Sequence, residues 1–375
     1  MTDRPRYSRK VIDSVDQWVS RGSTVEESEE RFDRYRRYLL LKTMFIIACV
    51  AVMVVVLGYS ITVGASNIGF IETYRIIWEH IAGNIADDIK DYVVVGLRMP
   101  RVIGAVIAGA GLAVCGVIMQ STLLNPLADP YTTGVSSGAS FGATLAIVAN
   151  ISLLGGELFI VGNAFVFSLI PTAVIIFVSK LKNASPTTMI MAGIAVMYIF
   201  NAITTVLMLW ADPNATQAVY IWQVGTLSKT NWNNIPIIAA AVLAGTCVTL
   251  LMSKKLNILA TGDESASALG VNANKLRIFN LILVSLVSAT VVSFTGLIGF
   301  IGLVAPHIAR IFVGPDNKYL VVASAVFGGM LLMVADLLGR TVISPVVIQA
   351  GVIMAFIGGP MFLWLIINKK SNIWG

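Results

Sequence analysis

Charge is scarce in this sequence. Of its 375 residues only 12% are Asp, Glu, Lys or Arg, while 57% are hydrophobic. Soluble domains carry about 25% charged residues. A water-soluble fold of this length could not hide so much apolar surface. The scarcity is also uneven: no charged residue occurs from Thr43 to Ile71, and between Val102 and Ser179 there are only Asp129 and Glu157. Histidine is limited to His80 and His307, and the three cysteines, Cys49, Cys115 and Cys247, all sit in apolar stretches. No metal-ligand spacing results, and the cysteines read as small buried hydrophobes. There is no GxxxxGK[ST] loop, so the chain does not hydrolyse ATP by that route. No nucleophile–base pair or paired acid stands out either. The chain is read as not an enzyme, with no cofactor of its own. Aromatic residues interleaved with basic ones are missing too, so the net charge of +6 points to membrane-flanking segments rather than to nucleic acid.

What is present is long apolar runs. About 20 apolar residues span a bilayer as helix, and only helices or closed barrels satisfy their backbone there. Spans are expected near 43–63, 93–119, 131–150, 158–179, 186–209, 233–253, 276–298, 319–340 and 346–367. Lysine and arginine cluster at 1–42, at Lys180 and Lys182, from Lys254 to Arg277, and at Lys369 and Lys370. The positive-inside rule puts all four clusters in the cytoplasm. Nine spans would leave the ends on opposite sides, so a tenth, short or broken crossing is expected over Gly299–Val313. The expected fold is an all-α polytopic integral membrane protein of about ten helices, multi-pass, with both termini cytoplasmic.

Residues 1–42 form a charged extension ahead of the membrane domain, 43–375, and carry ten Lys/Arg and eight Asp/Glu. Ser23–Glu26 reads as a capping box. The pairs Glu27–Arg31, Glu30–Arg34 and Asp33–Arg37 support a solvated helix running into the membrane. The polar start leaves no room for a cleavable signal, so the first helix serves as an uncleaved one. Small residues recur at helix-packing spacing in Gly134, Gly138 and Gly142, and in Gly296, Gly299 and Gly302. Residues 67–92 lie outside, where Ile71, Tyr74, Trp78 and Ile81 share the face of an interfacial helix.

Two places could carry function. Asp336 is the one acid well inside a span, and an intramembrane carboxylate is a functional candidate by default. Arg340, four residues on, offers the plainer reading of a structural ion pair. The cytoplasmic segment 254–275 holds a short element, Gly262-Asp263-Glu264-Ser265-Ala266-Ser267-Ala268-Leu269. Thr261–Glu264 caps its start, and Gly270 ends it in a left-handed turn. With Ala266 and Leu269 as apolar contacts it could sit in another protein's groove, or be a plain connector. His307, between Pro306 and Arg310, reads as a structural hydrogen-bonding histidine.

From about residue 40 to the end, the chain resembles the permease subunits of ABC importers for iron–siderophores, haem and vitamin B12. Leu97-Arg98-Met99-Pro100-Arg101 looks like the family's motif before the second helix. Gly109-Ala110-Gly111-Leu112-Ala113, Gln120, and Asn125-Pro126-Leu127-Ala128-Asp129-Pro130 come next in order. Gly262, Ser265-Ala266 and Leu269-Gly270-Val271 resemble the coupling loop. Gly299-Phe300-Ile301-Gly302-Leu303-Val304-Ala305-Pro306-His307, Ala335-Asp336, Gly351 and Gly358-Gly359-Pro360 complete the series. Two departures stand out: Leu124 replaces an arginine frequent before Asn-Pro-Leu, and Pro345 to Gly351 lacks the acid and second proline of the usual Pro-x-Glu-Leu-Pro-Val-Gly.

The resemblance implies ten helices per subunit and a homodimer in a prokaryotic plasma or inner membrane. It implies two separate ATPase subunits that bind ATP and Mg, and an external binding protein that delivers a metal chelate. Iron–siderophore is the commonest cargo, ahead of haem and cobalamin. Gly262, Asp263, Glu264, Ser265, Ala266, Leu269, Gly270 and Val271 would contact the ATPase. Arg98, Arg101 and Arg340 would form an exposed cationic rim for carboxylates of the binding protein, or Arg98 and Arg101 would serve as snorkelling anchors. Asn125, Leu127, Thr187 and Thr188 would line a cytoplasmic gate, or be turn residues. An ion-coupled secondary carrier dependent on Asp336 is the competing class, and a membrane receptor or scaffold without transport is a third.

Overall fold

Helices carry most of the chain in the computed structural model, which describes residues 25–64, 66, 68–182 and 185–367, with no strand among them. The elements are α1 (Val25–Thr62), α2 (Phe70–Ala82), α3 (Asp88–Leu123), α4 (Val135–Ala149), α5 (Phe159–Lys182), α6 (Pro186–Met208) and α7 (Pro213–Val224). They continue as α8 (Ile235–Leu251), α9 (Ser253–Leu259), α10 (Asp263–Ala268), α11 (Ala273–Thr295), α12 (Ile301–Val313), α13 (Asn317–Thr341) and α14 (Ala350–Ile367). The chain falls into two units, Met1–Phe45 and Ile46–Gly375, and the helix bundle with its sites belongs to the second. The Ser23–Glu26 capping box lies outside the described residues. So do the side chains of the three charge pairs after it, and of Lys182, Lys369 and Lys370.

Among the described residues, six helices are long and apolar enough to cross a bilayer: Leu39–Thr62, Asp88–Leu123, Phe159–Leu181, Pro186–Met208, Ala273–Thr295 and Asn317–Thr341. A seventh candidate is the α8–α9 pair, bent by 64° at Met252. Val135–Ala149, Ile301–Val313 and Ala350–Trp364 are shorter apolar helices. The protein is a multi-pass membrane protein. Several expected spans shift. The run at 131–150 divides into a 3₁₀ turn, Pro130–Thr133, and α4, because Gly134 at φ 79 breaks the register. The run at 233–253 continues past its expected end into α9. Helix α7 was not expected at all; Asp212 starts it by accepting from Asn214 and Ala215 backbone N–H at 2.8 and 2.9 Å, with Pro213 at the first position.

Helix α3 is the hub, packing against α8, α11, α12 and α13. Glycines make that possible. A Cβ on Gly109 would run into the Gly328 carbonyl of α13, and one on Gly116 into the Gly302 carbonyl of α12. Backbones meet directly there, which is how helices associate without a hydrophobic drive from lipid. The α4 glycines work in register with α5: Gly134 faces Pro171, Gly138 the Phe167 carbonyl and Gly142 the Asn163 carbonyl. Of the expected triplet, Gly296 lies against the Trp222 carbonyl and Gly302 against Leu112 and Pro130, whereas Gly299 has nothing within 4 Å. In α2 the buried side consists of Thr73 and Ile76, so Ile71, Tyr74, Trp78 and Ile81 point outward. His80 pairs with Asp91 at 2.9 Å and Lys90 with Glu72 at 2.7 Å, clasping α2 to the start of α3.

Candidate functional site

The first site lies at the end of the bundle that carries α9 and α10. Helix α10 is six residues long, too short to hold itself in water. Its end is a Schellman turn: Gly270 N–H donates to Ser267 O at 3.0 Å, Val271 N–H to Ala266 O at 2.8 Å, and Gly270 has φ 76. Its start differs from expectation. Gly262, at φ 102, takes the N-cap position, and the Thr261 hydroxyl turns back to Ile258 O at 2.7 Å. No Thr261–Glu264 box forms, since Thr261 lies one position too early. Ala266 is also reassigned. It is fully buried with Leu259, Ala273 and Leu276, so it holds α10 to its own chain. Leu269 is 65% exposed, and Glu264, Ser265, Ser267 and Ala268 are exposed with it.

Asp263 turns inward instead. Its carboxylate meets the Arg277 guanidinium, whose Nη1 donates to Oδ2 at 2.8 Å and whose Nη2 donates to Oδ1. Arg277 is wholly buried, and its Nε donates to Thr122 O in the last turn of α3 at 3.1 Å. The pair holds the Asp263 carboxyl below the usual carboxylate range. A depressed pKa contributes stability above the unfolded value and loses it as pH falls through the folded one. The link is therefore complete at neutral pH. Sequence reasoning missed Arg277; closing the basic cluster that runs from Lys254, it reads as one more positive-inside marker.

Close by, α3 stops at Leu124, in the left-handed region at φ 50. Asn125 Oδ1 then accepts from Leu127 N–H at 2.9 Å, and Asn125 O from Ala128 N–H at 3.1 Å. At the start of α6, Ser185 Oγ accepts from Thr188 N–H at 3.2 Å, with Pro186 in the first position. Thr187 is exposed and Thr188 half-buried. The two segments are each built by local turns. Further along α6, a Cβ on Gly193 would run into the Thr132 carbonyl.

The three arginines gather at the opposite end, around a cavity of about 320 Å³ that also borders Ser66, Ser228 and Pro345. They are not the exposed rim that the resemblance implied. Arg98 is 6% and Arg340 8% exposed. Arg98 donates to the carbonyls of Thr62 and Ser66, each at 2.8 Å. Arg340 donates to Ser60 O at 3.0 Å and Val63 O at 2.7 Å. The Ser60 and Thr62 carbonyls lie in the last turn of α1 and those of Val63 and Ser66 just beyond it, so the guanidiniums cap that helix end. Arg101 binds Asp336 through Nε at 2.9 Å and Nη2 at 2.8 Å, and Arg340 Nε lies 3.0 Å from the other carboxylate oxygen. One buried carboxylate thus serves two guanidiniums, where the sequence suggested one. A π-helical segment, Tyr92–Arg98, precedes this cluster; Trp232 Nε1–H donates to its Val95 carbonyl at 2.8 Å. Such widened turns recur at functional places.

Between α4, α6 and α7 lies a further cavity of about 280 Å³, lined by Ser136, Ser140, Asn201, Thr204, Thr205 and Gln223. Gln223 Nε2 donates to Ser140 Oγ across it at 2.7 Å. Met197 and Leu297 complete the lining, which mixes polar and apolar groups and carries no charge. Among the described residues, no group of three His, Cys, Asp or Glu side chains is placed to hold a metal ion.

Comparison with known proteins places this arrangement. Residues 50–368 match the FecCD transport family. The chain is 34% identical over 317 residues to the hemin transport system permease protein of Yersinia pestis, covering 83% of this chain and 93% of that one. It is 36% identical over 282 residues to the cobalamin import system permease protein of Halobacterium salinarum, covering 74% of each. Among solved structures, an inward-facing conformation of a metal-chelate type ABC transporter superposes with TM-score 0.76 at 25% identity, covering 87% of this chain and 100% of that chain.

Proposed function

The chain belongs to the FecCD transport family of ABC permeases, a transport and not a catalytic family, and from that premise we propose that it is the membrane subunit of an ATP-driven importer for a metal chelate. On this reading the six long helices, the bent α8–α9 pair and the three short apolar helices make ten crossings, with both termini and α10 in the cytoplasm. Two copies form the pathway, two separate ATPase subunits bind ATP and Mg below it, and an external binding protein docks above. The cargo is an iron–siderophore ahead of haem or cobalamin, in a prokaryotic plasma or inner membrane. The observation that carries the reading is α10. It is a short helix closed by a Schellman turn, fastened from behind by Ala266 and Asp263, and it presents Leu269 outward. That is the construction of an element made to seat in a partner's groove.

The chain's own work is alternating access. Nucleotide binding on the partner supplies a free-energy difference between inward- and outward-facing states. Asn125, Leu127, Thr187 and Thr188 stand at the proposed inner gate, and the uncharged cavity beside Gln223 suits a bulky chelate that must leave as readily as it enters. Uptake into proteoliposomes holding permease, ATPase and binding protein tests the whole. ATP on the ATPase side, without an ion gradient, is expected to drive concentrative uptake. Failure with ATP, together with uptake driven by a proton gradient alone, establishes the ion-coupled carrier instead.

Docking of the binding protein falls to the arginine cavity. Its guanidiniums are spent on backbone carbonyls and on Asp336, so they offer field rather than direct contacts. Three cations around one carboxylate leave the mouth positive. Such a field sets orientation and on-rate more than affinity and is screened over about 8–10 Å at 0.1–0.15 M salt. The association rate of the binding protein is therefore expected to fall as salt rises. A rate indifferent to salt sinks the electrostatic part of this assignment.

A further inference from the structure

Two polar connections run from the α9–α10 segment into the membrane domain, and they end on neighbouring residues. The first is Asp263–Arg277–Thr122; Asn280, one turn along α11 from Arg277, reinforces it by donating to Thr122 Oγ1 at 2.8 Å. The second starts at Asn257 on α9. Its Oδ1 accepts from Asn317 N–H at 2.9 Å and from Asn317 Nδ2 at 2.8 Å, and its Nδ2 donates to Asp316 Oδ1 at 2.8 Å. Asn317 Oδ1 then accepts from Ser121 Oγ at 3.2 Å. Ser121 and Thr122 form the last turn of α3, directly before the left-handed Leu124 and the Asn125 turn. Whatever displaces α10 therefore pulls on the end of the hub helix next to the proposed gate.

We propose that Arg277 is the positioning residue that transmits movement of α10 to the inner end of α3, an inference that rests on α10 being the ATPase-docking element. The chemistry suits a strut. A guanidinium is planar, and its nitrogens diverge at fixed angles. Two of them hold both oxygens of Asp263, and the third holds the Thr122 carbonyl. The distance between α10 and α3 is thus set by one rigid group rather than by a flexible chain. Lysine keeps the charge but offers a point, and cannot hold both partners in fixed relation. Burial serves the same end. Asp263 is half exposed, yet Arg277 is wholly enclosed, so its position is dictated by packing on every side. An apolar pair would have fastened α10 at no greater cost in stability, since buried ion pairs often contribute little to it. The directional link is what the ion pair adds.

The test uses the full complex of permease, ATPase and binding protein in proteoliposomes, with Arg277→Lys, Arg277→Gln, Asp263→Asn and the Asp263→Asn/Arg277→Gln double variant. Leu269→Asp serves as the control for docking. Three quantities are read: ATPase retained on purification, ATP hydrolysed, and chelate imported per ATP. The Arg277 variants are expected to keep the ATPase and its hydrolysis while import per ATP falls on the order of tenfold, within the usual range of coupling between two sites. The double variant is expected to do no worse than Arg277→Gln, because both changes cut one connection. A spin label at exposed Leu127, in a chain freed of native cysteines, supplies a readout that a purely structural role would not move. Nucleotide trapping should change its mobility in the parent but not in Arg277→Lys, while a label at Leu269 still responds in both. Normal import per ATP in Arg277→Lys overturns the proposal. So does loss of import in step with loss of folded protein, which makes Arg277 a structural anchor. If Leu269→Asp keeps its ATPase, the docking role of α10 is what fails, and the inference falls with it.

Discussion

Asp336→Ala is expected to leave little folded protein. The carboxylate is buried, and within 3.0 Å of it lie nitrogens of both Arg101 and Arg340. Removing one partner of a buried pair costs about 3–5 kcal/mol, because the other charge stays buried without compensation. Here two guanidiniums lose the same partner. That is a large share of the roughly 5–15 kcal/mol by which domains are stable. Arg340 also caps the end of α1 through Ser60 and Val63, so its release loosens a second contact. Asp336→Asn keeps the shape and an acceptor oxygen but no charge, and should lie between parent and alanine in thermal stability in detergent. Equal stability of all three proteins would remove the acid from the structural account. The asparagine variant also separates pump from carrier. A carrier whose coupling proton rides on Asp336 loses concentrative uptake entirely, since an amide does not take up and release that proton. Its drive would be modest in any case, about 2.3 kcal/mol per charge through 100 mV. An ATP-driven importer is expected to retain uptake in proportion to its folded fraction.

The elements that could be read from the sequence are those whose signal is local. The apolar runs located α1, α5, α6, α11 and α13 because each is bounded by charge or by a capping residue; Asn272, for instance, accepts from Lys275 N–H at 3.0 Å to start α11. Gly270 announced its left-handed turn for the same reason. The arginine cluster was misjudged because exposure depends on partners far along the chain. Nothing near Arg98 shows that it will donate to the carbonyls of Thr62 and Ser66, and Asp336 carries no mark of a second guanidinium 235 positions away. Arg277 escaped notice on the same grounds, for its partner Thr122 lies 155 residues upstream. Helix α7 is a different case. The Asp212-Pro213 pair is a usable start signal, but the polar Asn214, Thr216 and Gln217 obscured the helix behind it. The 64° bend after Leu251 had no glycine or proline to reveal it.

The joint replacement Glu264→Ala/Leu269→Asp is expected to release the ATPase while leaving the permease folded. Both side chains are exposed, and the apolar cluster that seats α10 is made by Leu259, Ala266, Ala273 and Leu276 instead. The Schellman turn at Gly270 uses only backbone groups, so neither change disturbs it. Thermal unfolding should therefore match the parent. Binding should not. A leucine side chain moved from water into an apolar groove gains about 1.5–3 kcal/mol, and each 1.4 kcal/mol is about tenfold in affinity. Aspartate forfeits that gain and adds a charge to be desolvated in the groove. Removing Glu264 takes away the remaining outward charge on the first turn of α10, where an acid also complements the helix dipole. The expected result is a permease that purifies without its ATPase and imports nothing on addition of ATP. Copurification and uptake at parental levels would show that α10 is a connector. Ala266→Glu supplies the contrast: it forces a charge into the buried cluster behind α10 and is expected to lower thermal stability as well as binding. Retained stability with lost docking in one variant, and loss of both in the other, would separate the face of α10 that meets the partner from the face that meets its own chain.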